Sequence, residues 1–287
     1  MKEKLIYLLF KYKNAFATDK EPLGAIIGQQ LDIIFNVEKP YPPLLRRPAY
    51  PVSPRARGAL EVHIKESMNF GVLRKVRHNE QVEVTTPVII TWQNGKSRMV
   101  GDFRALNSYT IPERYPIPRI HETFTQLSQA KLIKAMDSVK GAHKKVLTEN
   151  TKKLLMIIVH CGIYEYLSML LGIKNAPSHY QRILNTIFHE YLSEGWLIIY
   201  IYDIIVCSET WEIHLTRLER VLQKIVKVNM KISLKECHFA YSELKALGHV
   251  VSGLSLGIDK SKVAAGLLKP MPQTKKEMES FLGFSGY

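Results

Sequence analysis

The run "LIIYIYDIIVC", Leu197 to Cys207, is almost unbroken apolar sequence with one aspartate, Asp203, in its middle. An ionised carboxylate in such a run costs several kcal/mol unless something pairs with it, so Asp203 marks a turn or a ligand for a cation. The run is far shorter than the roughly 20 residues that cross a bilayer, and it carries its charge at the centre, so no membrane partner is expected. Its flanks decide the fold. Upstream, "NAPSHYQRILNTIFHEYLSEG" spaces Tyr180, Ile183, Leu184, Ile187, Phe188 and Tyr191 at helical intervals, between Gly172 and Gly195. Downstream, "WEIHLTRLERVLQKIVKV" carries the stripe Leu215, Leu218, Leu222 and Ile225. Strand-like sequence between two amphipathic helices predicts a buried β-hairpin in an α+β layer.

A second acid is available to such a hairpin. In "AKLIKAMDSVKGAH", Asp137 ends a short alternating run ahead of a turn-prone stretch with Gly141. Acids at the ends of neighbouring strands suit two-metal phosphoryl chemistry, in which two Mg²⁺ ions roughly 4 Å apart are held by carboxylate oxygens. Taken alone, Asp137 is more often a helix cap or a solvated turn residue; pairing with Asp203 shifts that balance, by an amount spacing does not fix.

Further out, "VEVTTPVIITWQNGKSRMVG" (82–101) gives two β-rich runs around a polar turn. Gly95-Lys96-Ser97 in that turn is not a P-loop, because Ile90 stands in place of the first glycine and no helix follows. Ser53 and Pro54 start a helix in which Leu60, Ile64 and Met68 recur until Asn69 and Gly71 end it. Before it, the proline-rich "EKPYPPLLRRPAYPVSP" must run extended and is expected to form an arm outside the core. The opening "MKEKLIYLLFKYKNAF" reads as an amphipathic helix, since lysines interrupt it and no cleavage site follows. Cys161, Cys207 and Cys237 are too scattered for a disulfide framework, and with no signal peptide an intracellular site, cytoplasmic or nuclear, is expected. Lys and Arg number 40 against 26 acids, a net charge of +14 that suits a polyanionic partner, most simply nucleic acid.

Five stretches in order carry a family likeness. "SRMVGDFRALNSYTIPERYPIPRI", "MLLGIKNAPSHYQRILN", "YIYDIIVCS", "MKISLKECHF", and "ALGHVVS" followed by "SFLGFSGY" together resemble the reverse transcriptase of Gypsy-type LTR retrotransposons, a Pol polyprotein fragment. The resemblance implies a right-hand polymerase fold of α+β class, with fingers, palm and the start of a thumb, and an antiparallel palm sheet backed by helices. It implies an N-terminal helix and arm over 1–52, fingers and palm over 53–252 and a truncated thumb over 253–287. RNA-directed DNA polymerisation follows from it, with a primed RNA or DNA template and dNTP as partners and two Mg²⁺ ions, or Mn²⁺, as cofactor. Asp137 and Asp203 would hold the metals, and Lys235 would protonate departing pyrophosphate. Arg98 would contact the triphosphate, while Ala142, Gly172 and Gln181 would line the nucleotide pocket. Leu247, Gly248 and His249 would begin the primer grip. Nothing in the sequence fixes an oligomeric state.

The chain departs from the family pattern at its centre. The family carries two adjacent acids at the hairpin tip, and here the first is Tyr202, a phenol whose ordinary pKa is about 10. Ala142 replaces an aromatic plate that excludes the ribose 2′-hydroxyl, Lys144 and Lys145 stand where Gln and an apolar residue are usual, and Leu170 replaces a proline. The sequence ends at Tyr287, inside the implied thumb, with no RNase H or integrase portion. An impaired polymerase is therefore expected, the other reading being a catalytically dead nucleic-acid-binding remnant.

Overall fold

In a computed structural model of the chain, the opening run is a hairpin. The structure describes residues 2–18, 21, 23–24, 26, 30–118, 132–137, 147–170, 172–234, 237–241, 243–246, 249–252, 255–258 and 271–285. β7 (Leu197–Tyr200) and β8 (Asp203–Ser208) pair antiparallel around Ile201 and Tyr202. β8 pairs on its other side with β4 (Leu132–Asp137), and β4 with β9 (His238–Tyr241), completing the four-stranded sheet β7-β8-β4-β9. Ile204, Ile205 and Val206 are all fully buried, which explains why the run shows no polar alternation.

Helices cover this sheet. α5 (Ala176–Ile187) and α6 (His189–Ser193) pack on β7, and α7 (Trp211–Lys227) packs on β8. α7 buries Leu218, Leu222 and Ile225 of the predicted stripe, with Val221 beside them, whereas Leu215 is only partly buried against the core. The single helix expected upstream is instead broken at Phe188, which leaves helical geometry (φ −107°, ψ 18°) with its ring fully buried.

A second sheet has the order β1-β6-β5-β2-β3, from β1 (Leu73–Lys75), β6 (Gly162–Tyr166), β5 (Met156–Val159), β2 (Thr86–Gln93) and β3 (Lys96–Gly101). The expected β2–β3 hairpin turns at Asn94-Gly95, both with positive φ (50° and 76°), the backbone that a tight two-residue turn demands. α2 (Pro54–Asn69) packs beside it, capped by the Ser53 side chain, which accepts from the Ala56 amide. It buries Leu60 and Ile64 but leaves Met68 exposed, so its buried stripe ends a turn early.

β10 (Glu243–Ala246), β11 (His249–Ser252) and β12 (Ser255–Ile258) form a third, antiparallel sheet, which runs across residue 252, where the sequence suggests a boundary. The other α-helices among the described residues are α1 (Lys2–Lys11), α3 (Arg104–Tyr109), α4 (Glu149–Leu154) and α8 (Lys275–Ser285).

The expectation of an arm outside the core is corrected. Within the proline-rich stretch Leu45 is buried at the end of a short helical turn (Pro43–Leu45) and Arg46 bridges Thr85; just before it Leu31 and Ile33 are buried too, with single bridges from Leu31 to Leu147 and Phe35 to Thr110. Prolines remove some donors, yet the residues between them keep enough backbone groups to pair one at a time. The Asp32 carboxylate accepts from the Thr148 and Thr151 hydroxyls (2.8 and 2.9 Å), and Thr151 Oγ1 accepts from the Ile33 amide (2.8 Å).

Candidate active site

Tyr200 pairs with Asp203 across the hairpin, so Ile201 and Tyr202 alone make the turn. Ile201 has φ +51°, a left-handed conformation that β-branched residues rarely adopt. On the far side of β8, the register with β4 sets Asp203 directly opposite Asp137. Antiparallel partners have Cα atoms about 4.5–5.5 Å apart, so the two positions lie side by side at one end of adjacent strands.

Tyr202 does not extend this pair. It is half-buried against the core, its ring centroid 5.0 Å from that of Tyr180 at an interplanar angle of 43°, and Tyr180 is fully buried on α5. The tip therefore spends its first position on aromatic packing.

One turn of α5 reaches the same hairpin. Gln181 is fully buried; its Oε1 accepts from the Ile201 amide (2.6 Å), and its Nε2 donates to the Ile199 carbonyl (3.0 Å) and to Asn185 Oδ1 (2.9 Å). The family likeness puts this residue at a nucleotide pocket; the structure puts its amide on the backbone of the turn. His179, two residues earlier, is also buried, and burial first, then the Arg182 guanidinium, pull its pKa down to about 4, leaving it neutral near pH 7.

Arg98 lies on β3 opposite Thr91, both exposed on the β2–β3 hairpin. Gly172 has φ +98°, and its carbonyl accepts from Asn107 Nδ2 (2.8 Å), while Asn107 Oδ1 accepts from the Lys174 amide (2.8 Å). Gly172, Val100, Tyr50 and Arg104 line one cavity of about 790 Å³. At its rim the buried Asp102 carboxylate accepts from Arg104 (Nε 2.7 Å, Nη2 2.8 Å), Tyr50 (2.5 Å) and Arg47 (2.7 Å). Arg104, then Tyr50 and Arg47, hold this carboxyl well below the usual carboxylate range. The only local signal for Asp102 is an acid two residues before an arginine in "GDFR", since its partners at residues 47 and 50 are far away in the chain.

Ala142, Lys144, Lys145, Lys235, Leu247 and Gly248 lie outside the described residues. The backbone of His249 opens β11, paired with Ala246 and Ile258.

Residues 86–251, a span that holds both acids, the hairpin and Gln181, match the reverse transcriptase (RNA-dependent DNA polymerase) family. The chain belongs to the reverse transcriptase family. This reverse transcriptase chain is 31% identical over 291 residues to the retrovirus-related Pol polyprotein from transposon opus of Drosophila melanogaster, an overlap of 99% of this chain and 28% of that protein. To the polyprotein from transposon gypsy of the same organism it is 29% identical over 286 residues, 97% of this chain and 27% of that one. It thus spans little more than a quarter of the length of these relatives. Its fold matches part of the foamy viral protease-reverse transcriptase. The structure solved with ds DNA superposes with a TM-score of 0.84 and 22% identity over 99% of this chain and 49% of that one. The one solved with RNA/DNA hybrid gives 0.82 and 22% over 99% and 37%. The expected polymerase fold, a sheet backed by helices, is the fold observed.

Two acidic residues at paired strand positions are the residue type that a hard divalent cation, which takes oxygen ligands, calls for. The phenol of Tyr202, packed on Tyr180, adds no carboxylate to the two acids. Among the described residues no group of three or more His, Cys, Asp or Glu side chains converges to hold a metal, and no helix is long and apolar enough to cross a membrane.

Proposed function

We propose that this chain is the RNA-directed DNA polymerase module of an LTR-retrotransposon Pol polyprotein, built for two-metal addition of dNTPs to a primer 3′ end and impaired in this copy at Tyr202. The observation that carries the reading is the register of β4 and β8, which sets Asp137 opposite Asp203 beside a two-residue turn. Magnesium or manganese would be held by those two acids and would neutralise charge on the phosphoryl oxygens. Arg98 would grip triphosphate oxygens through its planar guanidinium, and Gly172 would let the nucleotide approach the backbone. Ala142 would leave the sugar side of the pocket open to ribonucleotides. Lys235 would give a proton to departing pyrophosphate, and the segment from Leu247 to His249 would hold the primer end. The solved complexes of the foamy viral relative, with ds DNA and with RNA/DNA hybrid, support a template and primer as partners.

A second reading has its own observation. The ring of Tyr202 packs on Tyr180 where the family has an acid, which favours a nucleic-acid-binding remnant without chemistry. Primer extension on a homopolymer template with Mg²⁺ or Mn²⁺ separates the two. Tyr202→Asp should raise extension by about 100-fold or more over the parent, the scale of a restored electrostatic clamp, and Asp203→Asn in that background should remove the gain. Unchanged extension in Tyr202→Asp, with template–primer binding intact, would establish the remnant.

A further inference from the structure

The turn that carries Tyr202 and leads into Asp203 is conformationally costly, because Ile201 holds φ +51° with a branched side chain. Such a backbone persists only where its surroundings over-determine it. Within the hairpin, β7 and β8 pair up to Tyr200 and Asp203, and the Ile201 amide lies beyond the last rung. That amide is bonded instead to Gln181 Oε1 at 2.6 Å, from a helix twenty residues earlier in the chain. The same side-chain amide donates to the carbonyl of Ile199, so one planar group reaches from the penultimate residue of β7 to the first corner of the turn.

The orientation of that group is itself fixed. The second N–H of Gln181 goes to Asn185 Oδ1, one helical turn along α5, and Asn185 Nδ2 donates to the Tyr115 hydroxyl at 2.9 Å. Tyr115 belongs to the segment after α3, which α5 and the residue before it also hold. Asn175 Oδ1 accepts from the Glu113 amide, Asn175 Nδ2 donates to the Ile111 carbonyl, and Arg182 Nε donates to Glu113 Oε1. Were Gln181 flipped, its NH₂ would face the Ile201 N–H and its oxygen would face two acceptors, so only one orientation satisfies the buried network.

We propose that Gln181, oriented by Asn185 and Tyr115, is a positioning residue that clamps the Ile201–Tyr202 turn and so keeps Asp203 in register with Asp137. The proposal rests on reading those two acids as the metal-binding pair, and its role for Gln181 is structural support of the acids instead of contact with the nucleotide. Gln is suited to this task where Glu is not, because the site needs an acceptor for one backbone N–H and donors for two oxygens at once.

The test is residue-resolved amide hydrogen exchange on the full chain, with Mn²⁺-induced line broadening at the Asp203 amide as a second readout. In Gln181→Met, of similar length but with no hydrogen bond to give, the Ile201 amide should exchange about tenfold faster or more, while those of Ile204 and Val206 change little. Asn185→Leu and the milder Tyr115→Phe should give smaller rises at Ile201 in that order. Ile201→Gly, which relieves the positive-φ strain, should make the turn less dependent on the clamp, so that Gln181→Met weakens Mn²⁺ broadening less in that background than in the parent. An unchanged Ile201 amide in Gln181→Met, or an equal rise across Ile201, Ile204 and Val206, would overturn the clamp. If no variant shows Mn²⁺ broadening yet Ile201 responds as described, the clamp stands and the metal-pair reading falls. If Mn²⁺ broadens Asp203 equally in parent and Gln181→Met, the metal pair stands and the positioning role falls.

Discussion

At the scale of single residues, Tyr202 is where chemistry and stability pull apart. Its ring forms a tilted pair with Tyr180, and such pairs are worth about 0.5–1.5 kcal/mol beyond their buried area. Tyr202→Asp would lose that packing and place a third carboxylate beside Asp137 and Asp203, so the metal-free variant should be less stable by about 2–3 kcal/mol. Because a cation binds only the folded acids, Mg²⁺ should recover part of the loss, and urea unfolding with and without Mg²⁺ should show a larger gain in the variant than in the parent. His179 gives a second expectation at this scale. Its folded pKa of about 4 lies below the ordinary value of 6.5, so between those values the unfolded chain takes up a proton that the folded chain refuses. Stability attributable to neutral His179 is therefore fully present above pH 6.5 and lost as the pH falls toward 4, by about 3 kcal/mol at most. His179→Phe should flatten that part of the stability–pH curve, measured as the difference between parent and variant.

At the scale of elements, what periodicity and turn chemistry could express was legible. Thr210 shows how local such signals are: its side chain accepts from the Ile213 amide and starts α7, the helix that backs the acid-bearing β8. Thr210→Ala should cost about 1 kcal/mol of unfolding free energy, seen as a lower urea midpoint with an unchanged slope. The stripe of α7, the turn at Asn94-Gly95, the start of α2 and the hairpin around Asp203 could all be read because each signal lies within a few residues. The break at Phe188 could not, because the helical spacing of Tyr180 to Tyr191 continues straight through it. The packing of residues 31–46 was equally hidden: isolated bridges leave no repeating pattern, and the prolines around them point the other way. For the site, a lone acid in an apolar run pointed to Asp203 and the end of an alternating run to Asp137, while the family motif supplied their paired role and the anomaly at Tyr202. The bonds from Gln181 to the turn, and from Asp102 to Arg47 and Tyr50, join distant segments and required the fold.

At the scale of the whole molecule, the N-terminal segment and the surface charge matter most. Phe16 bridges Ile232, and the buried Lys231 ammonium donates to the Asn14 carbonyl (2.7 Å) and Glu21 Oε2 (3.2 Å). Deleting residues 1–21 would leave that ammonium buried without those partners, so the truncated chain should be destabilised by about 3 kcal/mol or more, and Lys231→Met should rescue part of the loss in thermal unfolding. The net charge of +14 acts over a longer range and does not depend on the metal site. Phosphate contacts by Lys and Arg release condensed counterions, so affinity for a template–primer duplex should fall steeply with salt, by about a thousandfold between 50 and 200 mM for six contacts. Since base and metal chemistry contribute little to that term, Asp203→Asn should leave both the affinity and the salt slope unchanged, whereas Arg98→Ala should lower the slope by about one ion at most. Filter binding across a salt series decides the matter. A flat salt dependence in the parent would remove nucleic acid as the partner under the polymerase and the remnant readings alike, while a steep slope shared by parent and Asp203→Asn would place binding in the basic surface, independent of whether the hairpin still supports catalysis.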